Sequence, residues 1–103
     1  MIYYNVWFSY LPNVDETTEL AKTHRLLQDF KSRGMIADYR LLTNRATGLK
    51  TKMPNYQVLI EFTDNTQFGL PFAEVEQIGI RSGQHGAMIE QVDEFVGEVF
   101  DDV

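Results

Sequence analysis

The sequence predicts an α+β fold, a four-stranded antiparallel sheet laid down in β-α-β-β-α-β order with its helices on one face. Three observations predict it. Two aromatic and β-branched runs, Ile2–Tyr10 and Tyr56–Phe62, are apolar at nearly every position, the pattern of strands covered on both faces. Two amphipathic stretches, each opened by an aspartate able to cap a helix, follow those runs. Two further strand-like segments carry charge, as the edges of a sheet do.

Taken in order, Ile2–Tyr10 is the first strand and Leu11–Val14, with Pro12 and Asn13, a connection. Asp15 is a helix N-cap, with Glu16 and Glu19 near the positive end of the helix dipole. The helix is expected to reach Arg33, with Lys31 and Arg33 in its last turn and Gly34 as a left-handed cap. Leu20, Thr23, His24, Leu27 and Phe30 recur at three- and four-residue steps and mark its buried stripe. A second strand, about Ile36–Thr43, interleaves Asp38 and Arg40 with Tyr39 and Leu41. Asn44–Asn55, carrying Gly48 and Pro54, reads as a long hairpin loop before the third strand, Tyr56–Phe62. Asp64 then caps a second helix with Phe68, Phe72, Val75 and Ile78 or Gly79 on one face. Gly69 and Pro71 interrupt it, and the missing amide of Pro71 is expected to kink it or delay its start. Ser82 to Val92 reads as a turn and short helix carrying His85, Met88 and Ile89, and a last strand lies near Glu94–Phe100.

This order is the ferredoxin-like plan, in which strands one and three are central and two and four are edges. The chain as a whole, residues 1–103, is expected to be one such domain. It is too short to supply helices to both faces of the sheet, so the second face is expected to meet another subunit. The Ile2–Tyr10 run, the Leu11-Pro12-Asn13-Val14 connection, the passage from Gly34 to Leu41 and the Val58–Phe62 strand resemble the dimeric ferredoxin-like, or α+β barrel, superfamily. Within it they are most similar to small uncharacterised bacterial proteins. The resemblance spans nearly the whole chain and rests on topology and pattern. It implies a homodimer in which two four-stranded sheets face each other, with a pocket between each sheet and its helices. The superfamily also contains antibiotic-biosynthesis monooxygenases and stress-responsive A/B-barrel proteins. Asn5 with Trp7 is loosely similar to the Asn and Trp with which its cofactor-free monooxygenases hold an aromatic substrate. Nothing around the pair completes a motif, so no catalytic role is carried over.

Composition excludes several classes of function. The absence of Cys removes disulfides, thiolate metal sites and cysteine nucleophiles. Two histidines sixty-one residues apart give no ligand spacing of the usual kind, so neither a metal nor a cofactor is expected. No apolar stretch approaches the roughly 20 residues of a membrane span. Met1 leads directly into a strand, without a basic lead or small-residue cleavage site, and a soluble cytoplasmic protein is expected. A net charge of −6 disfavours polyanionic partners. RNA-recognition modules share the element order, but Met53–Ile60 lacks their basic-Gly-aromatic-Gly start, so no nucleic-acid partner is expected. Bases gather at Arg45, Lys50 and Lys52, and acids at Asp93, Glu94, Glu98, Asp101 and Asp102. These are either solvated edges or a basic loop meeting the acidic tail of a partner subunit.

Strand parity separates two faces. Ile2, Tyr4, Val6 and Phe8, with Val58, Ile60 and Phe62, form the face expected to receive the helices. Tyr3, Asn5, Trp7 and Ser9, with Gln57, Leu59 and Glu61, form a mixed face assigned to the subunit interface, where Tyr3 and Trp7 bury much area and keep a polar handle. His24 is expected to point inward from the first helix as a polar group at the head of an apolar pocket, with Tyr4 and Tyr39 as companions. The competing reading is a structural histidine bonded to a tyrosine or carbonyl. Phe8, Leu27, Phe68 and Phe72 complete the expected ligand-binding set, with His85 at the mouth. The function this inventory points to is a homodimeric protein holding a small apolar or amphipathic ligand, fatty-acid-like or aromatic. A cofactor-independent monooxygenase or isomerase acting on a small aromatic substrate in the same cavity is the alternative, and a closed-core structural dimer the third possibility.

Overall fold

The computed structural model describes residues 1–46 and 53–103. Its strands are β1 (Ile2–Tyr10), β2 (Asp38–Thr43), β3 (Tyr56–Phe62) and β4 (Val92–Asp101), and its helices α1 (Glu16–Ser32), α2 (Asn65–Ile78) and α3 (Gly83–Ile89). The strands form one antiparallel sheet in the order β2-β3-β1-β4, so the two apolar runs are central and the charged segments are edges, as the sequence predicts. β2 begins two residues later than expected, and β4 is longer at both ends. Of the predicted hairpin loop, residues 47–52, with Gly48, Lys50 and Lys52, lie outside the described residues, and with them the expected meeting of a basic loop and an acidic tail.

Local chemistry sets the helix ends. The Asp15 carboxylate accepts from the Thr18 backbone N–H at 3.3 Å and from its hydroxyl at 2.8 Å. At the other end Gly34 turns with φ 72°, which only glycine adopts without strain. This lets Gly34 N–H donate to the Lys31 carbonyl at 3.0 Å and Met35 N–H to that of Phe30 at 2.9 Å, closing the helix. Asp64 caps α2 by accepting from Gln67 N–H at 2.8 Å. The Gln67 side chain in turn accepts from Thr63 N–H and donates to the Gly34 carbonyl at 3.1 Å, tying the start of α2 to the end of α1. Arg33 strengthens that junction with a two-pronged bond to Glu74, at 2.7 and 2.8 Å. The expected interruption of α2 does not occur. The helix runs unbroken through Pro71, whose single missing amide bond is offset by burial of its ring in the interior.

The core draws Ile2, Phe8, Tyr10, Val58 and Phe62 from the helix-facing side of the sheet, Leu27 and Phe30 from α1, and Ile36 from the connection that follows. The opposite face carries Tyr3, Trp7 and Leu59, half-buried, with Leu42, Val96 and Phe100 exposed. At its centre Asn5 is buried and accepts a 2.7 Å bond from Gln57 Nε2. Pairing of β1 with β4 slips by one residue at the far end: Ser9 faces Glu94 but Tyr10 faces Val92, leaving Asp93 as the extra residue of a bulge. Gly97 belongs to the packing of the central strand as well as to a β-edge, because a Cβ there would lie 2.8 Å from Tyr4 Oη.

Two substitutions test this packing. Phe62 is wholly buried, and Phe62→Ala is expected to lower the unfolding free energy by about 3–5 kcal/mol in denaturant titration. Gly86→Ala in α3 would ordinarily gain up to about 1 kcal/mol by helix propensity. Here the new Cβ would collide with the Arg81 backbone carbonyl, so a net loss of about 1–3 kcal/mol is expected instead. A third expectation concerns pH. Hydrogen bonding to Arg33 holds the Glu74 carboxyl below its ordinary 4.5. The stabilisation this bond brings is therefore whole above that value and is lost as pH falls through the lower, folded-state pKa. Urea midpoints of Glu74→Gln, set against the parent, should differ at pH 7 and converge toward pH 3.

Candidate functional site

Between the helix-facing side of the sheet and the three helices lies a partly enclosed cavity of about 180 Å³. Its floor is Tyr4, Val6 and Phe8 of β1 with Val58, Ile60 and Phe62 of β3. Its walls are Leu27 and Phe30 of α1 and Phe72 and Val75 of α2. Met88 and Ile89 of α3, with Phe95 of β4, add to the lining. Strand parity fixes the floor, because positions 2, 4, 6, 8 and 10 of β1 share one face. Edge-to-face rings stiffen the wall, Tyr4 on Phe72 at 5.2 Å and Phe8 on Tyr10 at 5.4 Å.

Of the residues expected to bind a ligand, Tyr4, Phe8, Leu27, Phe72 and His85 line this cavity. Three do not. His24 is exposed, because the buried stripe of α1 runs Glu19, Thr23, Leu27 and Phe30. At 3.6 residues per turn His24 stands about 100° from the centre of that stripe. Its ring pairs instead with Tyr39, whose Oη lies 2.9 Å from His24 Nδ1 and 3.2 Å from Gln28 Oε1. Tyr39 is thereby drawn to the outer side of α1, away from the cavity, and His24 makes a tyrosine bond on the exposed side of the helix, not in the core. Phe68 packs behind the wall, its ring 5.1 Å from those of both Phe62 and Phe72. Asn5, with no place in the cavity lining, belongs to the opposite face of the sheet.

The polar end of the cavity comes from residues outside the expected set: Tyr10, Glu19 and Thr23. All three are buried. Thr23 Oγ1 lies 3.1 Å from the Glu19 carbonyl and 3.4 Å from Met88 Sδ. The Glu19 carboxylate accepts from Lys22 Nζ at 3.1 Å. Tyr10 Oη is buried and has no hydrogen-bond partner among the described residues. Burial pushes its pKa up, with Thr23 acting in the opposite direction and the Glu19 and Glu16 charges adding to the rise. Parity carried one step past Phe8 would have placed Tyr10 on the floor. Glu19 was hidden by its position, since an acid in the first turn of a helix is ordinarily read as compensation for the dipole.

His85 occupies the rim on α3, half-buried. Its Nδ1 lies 2.7 Å from the Ile80 carbonyl, which can only accept, so this nitrogen carries the proton. In the neutral ring Nε2 then holds the lone pair. Among the described residues no cluster of three or more His, Cys, Asp or Glu could hold a metal ion, and no helix is long and apolar enough to cross a membrane.

Comparison with known proteins agrees with the fold. Residues 1–103 match a family of unknown function, DUF6614. No protein of curated function matches the chain in sequence. Among solved structures, protein At3g17210 of Arabidopsis thaliana superposes with a TM-score of 0.74 at 6% identity, covering 100% of this chain and 96% of that one. A dimeric ferredoxin-like protein of unknown function from Jannaschia sp. CCS1 gives 0.68 at 12% identity, covering 98% of both chains. An antibiotic biosynthesis monooxygenase gives 0.65 at 13% identity, covering 100% of this chain and 99% of that one. Identities this low speak to the fold, and the fold is the ferredoxin-like one that the sequence resembles.

The tyrosines offer a spectroscopic test. Hydrogen bonding to Glu16 and partial burial push Tyr56 up to about 12, and burial raises Tyr4 and Tyr10 above 10.0. Because unfolded chains release these protons near 10.0, the stabilisation is whole below that pH and is lost as pH rises toward about 12. Ultraviolet titration should show tyrosinate absorbance rising late, and Tyr56→Phe should remove its last component.

Proposed function

The chain belongs to the DUF6614 family of unknown function, and we propose that it is a homodimer binding a small apolar or amphipathic molecule, fatty-acid-like or aromatic, between sheet and helices. The observation that carries the binding half is the cavity itself. Small-ligand sites are largely apolar with a few convergent polar groups, and here an aromatic floor meets Tyr10, Thr23, Glu19 and His85.

The dimer half rests on the face of the sheet away from the helices. Tyr3, Trp7 and Leu59 lie there with Leu42, Val96 and Phe100, an apolar surface of the kind that self-associating proteins cover. The Jannaschia protein of the same fold is described as dimeric.

A second reading, a cofactor-independent monooxygenase or isomerase acting on a small aromatic substrate, is favoured by one observation. His85 is held in the tautomer whose free nitrogen accepts protons, at the rim of the cavity.

Native mass spectrometry of freshly purified protein tests the binding reading, with a dimer mass plus a retained organic molecule as the expected result. A dimer that retains nothing, and binds no long-chain acid or phenol by calorimetry, would overturn it. Sedimentation should give a dimer at low micromolar concentration, with Leu59→Lys shifting it to a single subunit that still shows a cooperative melt. Turnover lost in His85→Asn with binding retained would favour the enzyme.

A further inference from the structure

We propose that the cavity selects uncharged molecules of about one ring that carry a hydrogen-bond-accepting oxygen, anchored by the Tyr10 hydroxyl. The inference rests on the binding reading above and narrows its ligand class. It begins with Tyr10 itself, nine-tenths buried, lining the cavity, and without a partner for its Oη among the described residues. A buried hydroxyl left unpaired is costly, so such a group is normally satisfied by something. Thr23 turns its own proton toward the Glu19 carbonyl and Met88 Sδ, Lys22 holds one oxygen of the Glu19 carboxylate, and neither group bonds the Tyr10 hydroxyl in this structure. A phenol facing an apolar space is a donor waiting for an acceptor, and a carbonyl oxygen on the occupant meets that need.

Charge narrows the class further. Glu19 carries the formal negative charge of the lining, and no Lys or Arg stands in it. A carboxylate drawn to the Tyr10 end would lose its hydration and find a second carboxylate, whose paired cation among the described residues, Lys22, stands outside the lining. The head group is therefore neutral, which disfavours the fatty-acid-like half of the ligand class. Size sets the last limit. About 180 Å³ is small beside the roughly 300–1,000 Å³ of pockets for drug-sized ligands. It is a little larger than the roughly 150 Å³ dry cavity that takes up benzene. One ring with a short substituent fits that space.

The test titrates three molecules of one shape into the protein and into Tyr10→Phe, followed by calorimetry and NMR. Acetophenone has the neutral acceptor, α-methylstyrene replaces its oxygen with a methylene, and benzoate carries the charge. Acetophenone is expected to bind about three- to tenfold more tightly than α-methylstyrene, with benzoate weakest. In Tyr10→Phe the advantage of acetophenone should vanish. That variant removes only an unpaired hydroxyl, so its melting temperature should be unchanged or higher. Benzoate binding as tightly as acetophenone would overturn the inference, as would an acetophenone advantage that survives in Tyr10→Phe or is missing from the parent. Dodecanoate is the separating arm. If it binds where the ring compounds do not, the inference falls and the binding reading stands. If nothing binds, both fall.

Discussion

Burial of one face of two strands is the constraint on which the other features depend. On β1 and β3 the even positions present a continuous surface of Ile, Tyr, Val and Phe, and water must be kept from it. Each such side chain contributes about 1.5–3 kcal/mol when fully buried, so covering the face dominates the energetics of the fold. Three helices do the covering, one of them only seven residues long. The junction of α1 with α2 is therefore fastened by Gln67 and by the Arg33–Glu74 pair, beyond what apolar contact supplies.

The same economy of helix explains the cavity. Aromatic rings on the floor hold the roof away from the sheet, and their edge-to-face contacts resist collapse of the gap. The polar groups stand together where α1 passes over the end of β1. Tyr10 is brought there by strand parity, and Glu19 and Thr23 by a four-residue helical step. The apolar body and the polar end thus come from two different periodicities that meet at one place, giving the site a direction: oxygen at the Tyr10 end, carbon elsewhere.

What was legible in the sequence was what local chemistry decides. The unbroken apolar runs identified the central strands, Asp15 and Asp64 the helix starts, and Gly34 the turn that ends α1. The floor of the cavity followed from parity. The rotation of α1 did not, because Leu20, Thr23 and Leu27 fit two stripes about equally well. One of those stripes includes His24 and the other Glu19, and placing a carboxylate inside runs against the ordinary cost of burying charge. The tertiary contact with Met88, sixty-five residues from Thr23, and the pairing of His24 with Tyr39, in the next strand, settle which stripe is buried. Pro71 misled for a similar reason. Its effect on the helix is local, but its burial depends on the sheet beneath it.

The slip between Ser9 and Tyr10 has a consequence for how this family tolerates insertions and deletions. The additional residue in β4 reverses inward and outward positions at the strand's start, so that Val92 stands opposite Tyr10 and Asp93 is displaced from the pairing. Loss of Asp93 itself would leave Val92 opposite Tyr10, whereas loss of Val92 would bring Asp93 opposite Tyr10 and deliver an aspartate to the chamber wall. Chains of this fold that keep an oily chamber should accordingly hold the spacing from Val92 to Phe95, where one residue separates a solvent-facing acid from an interior one.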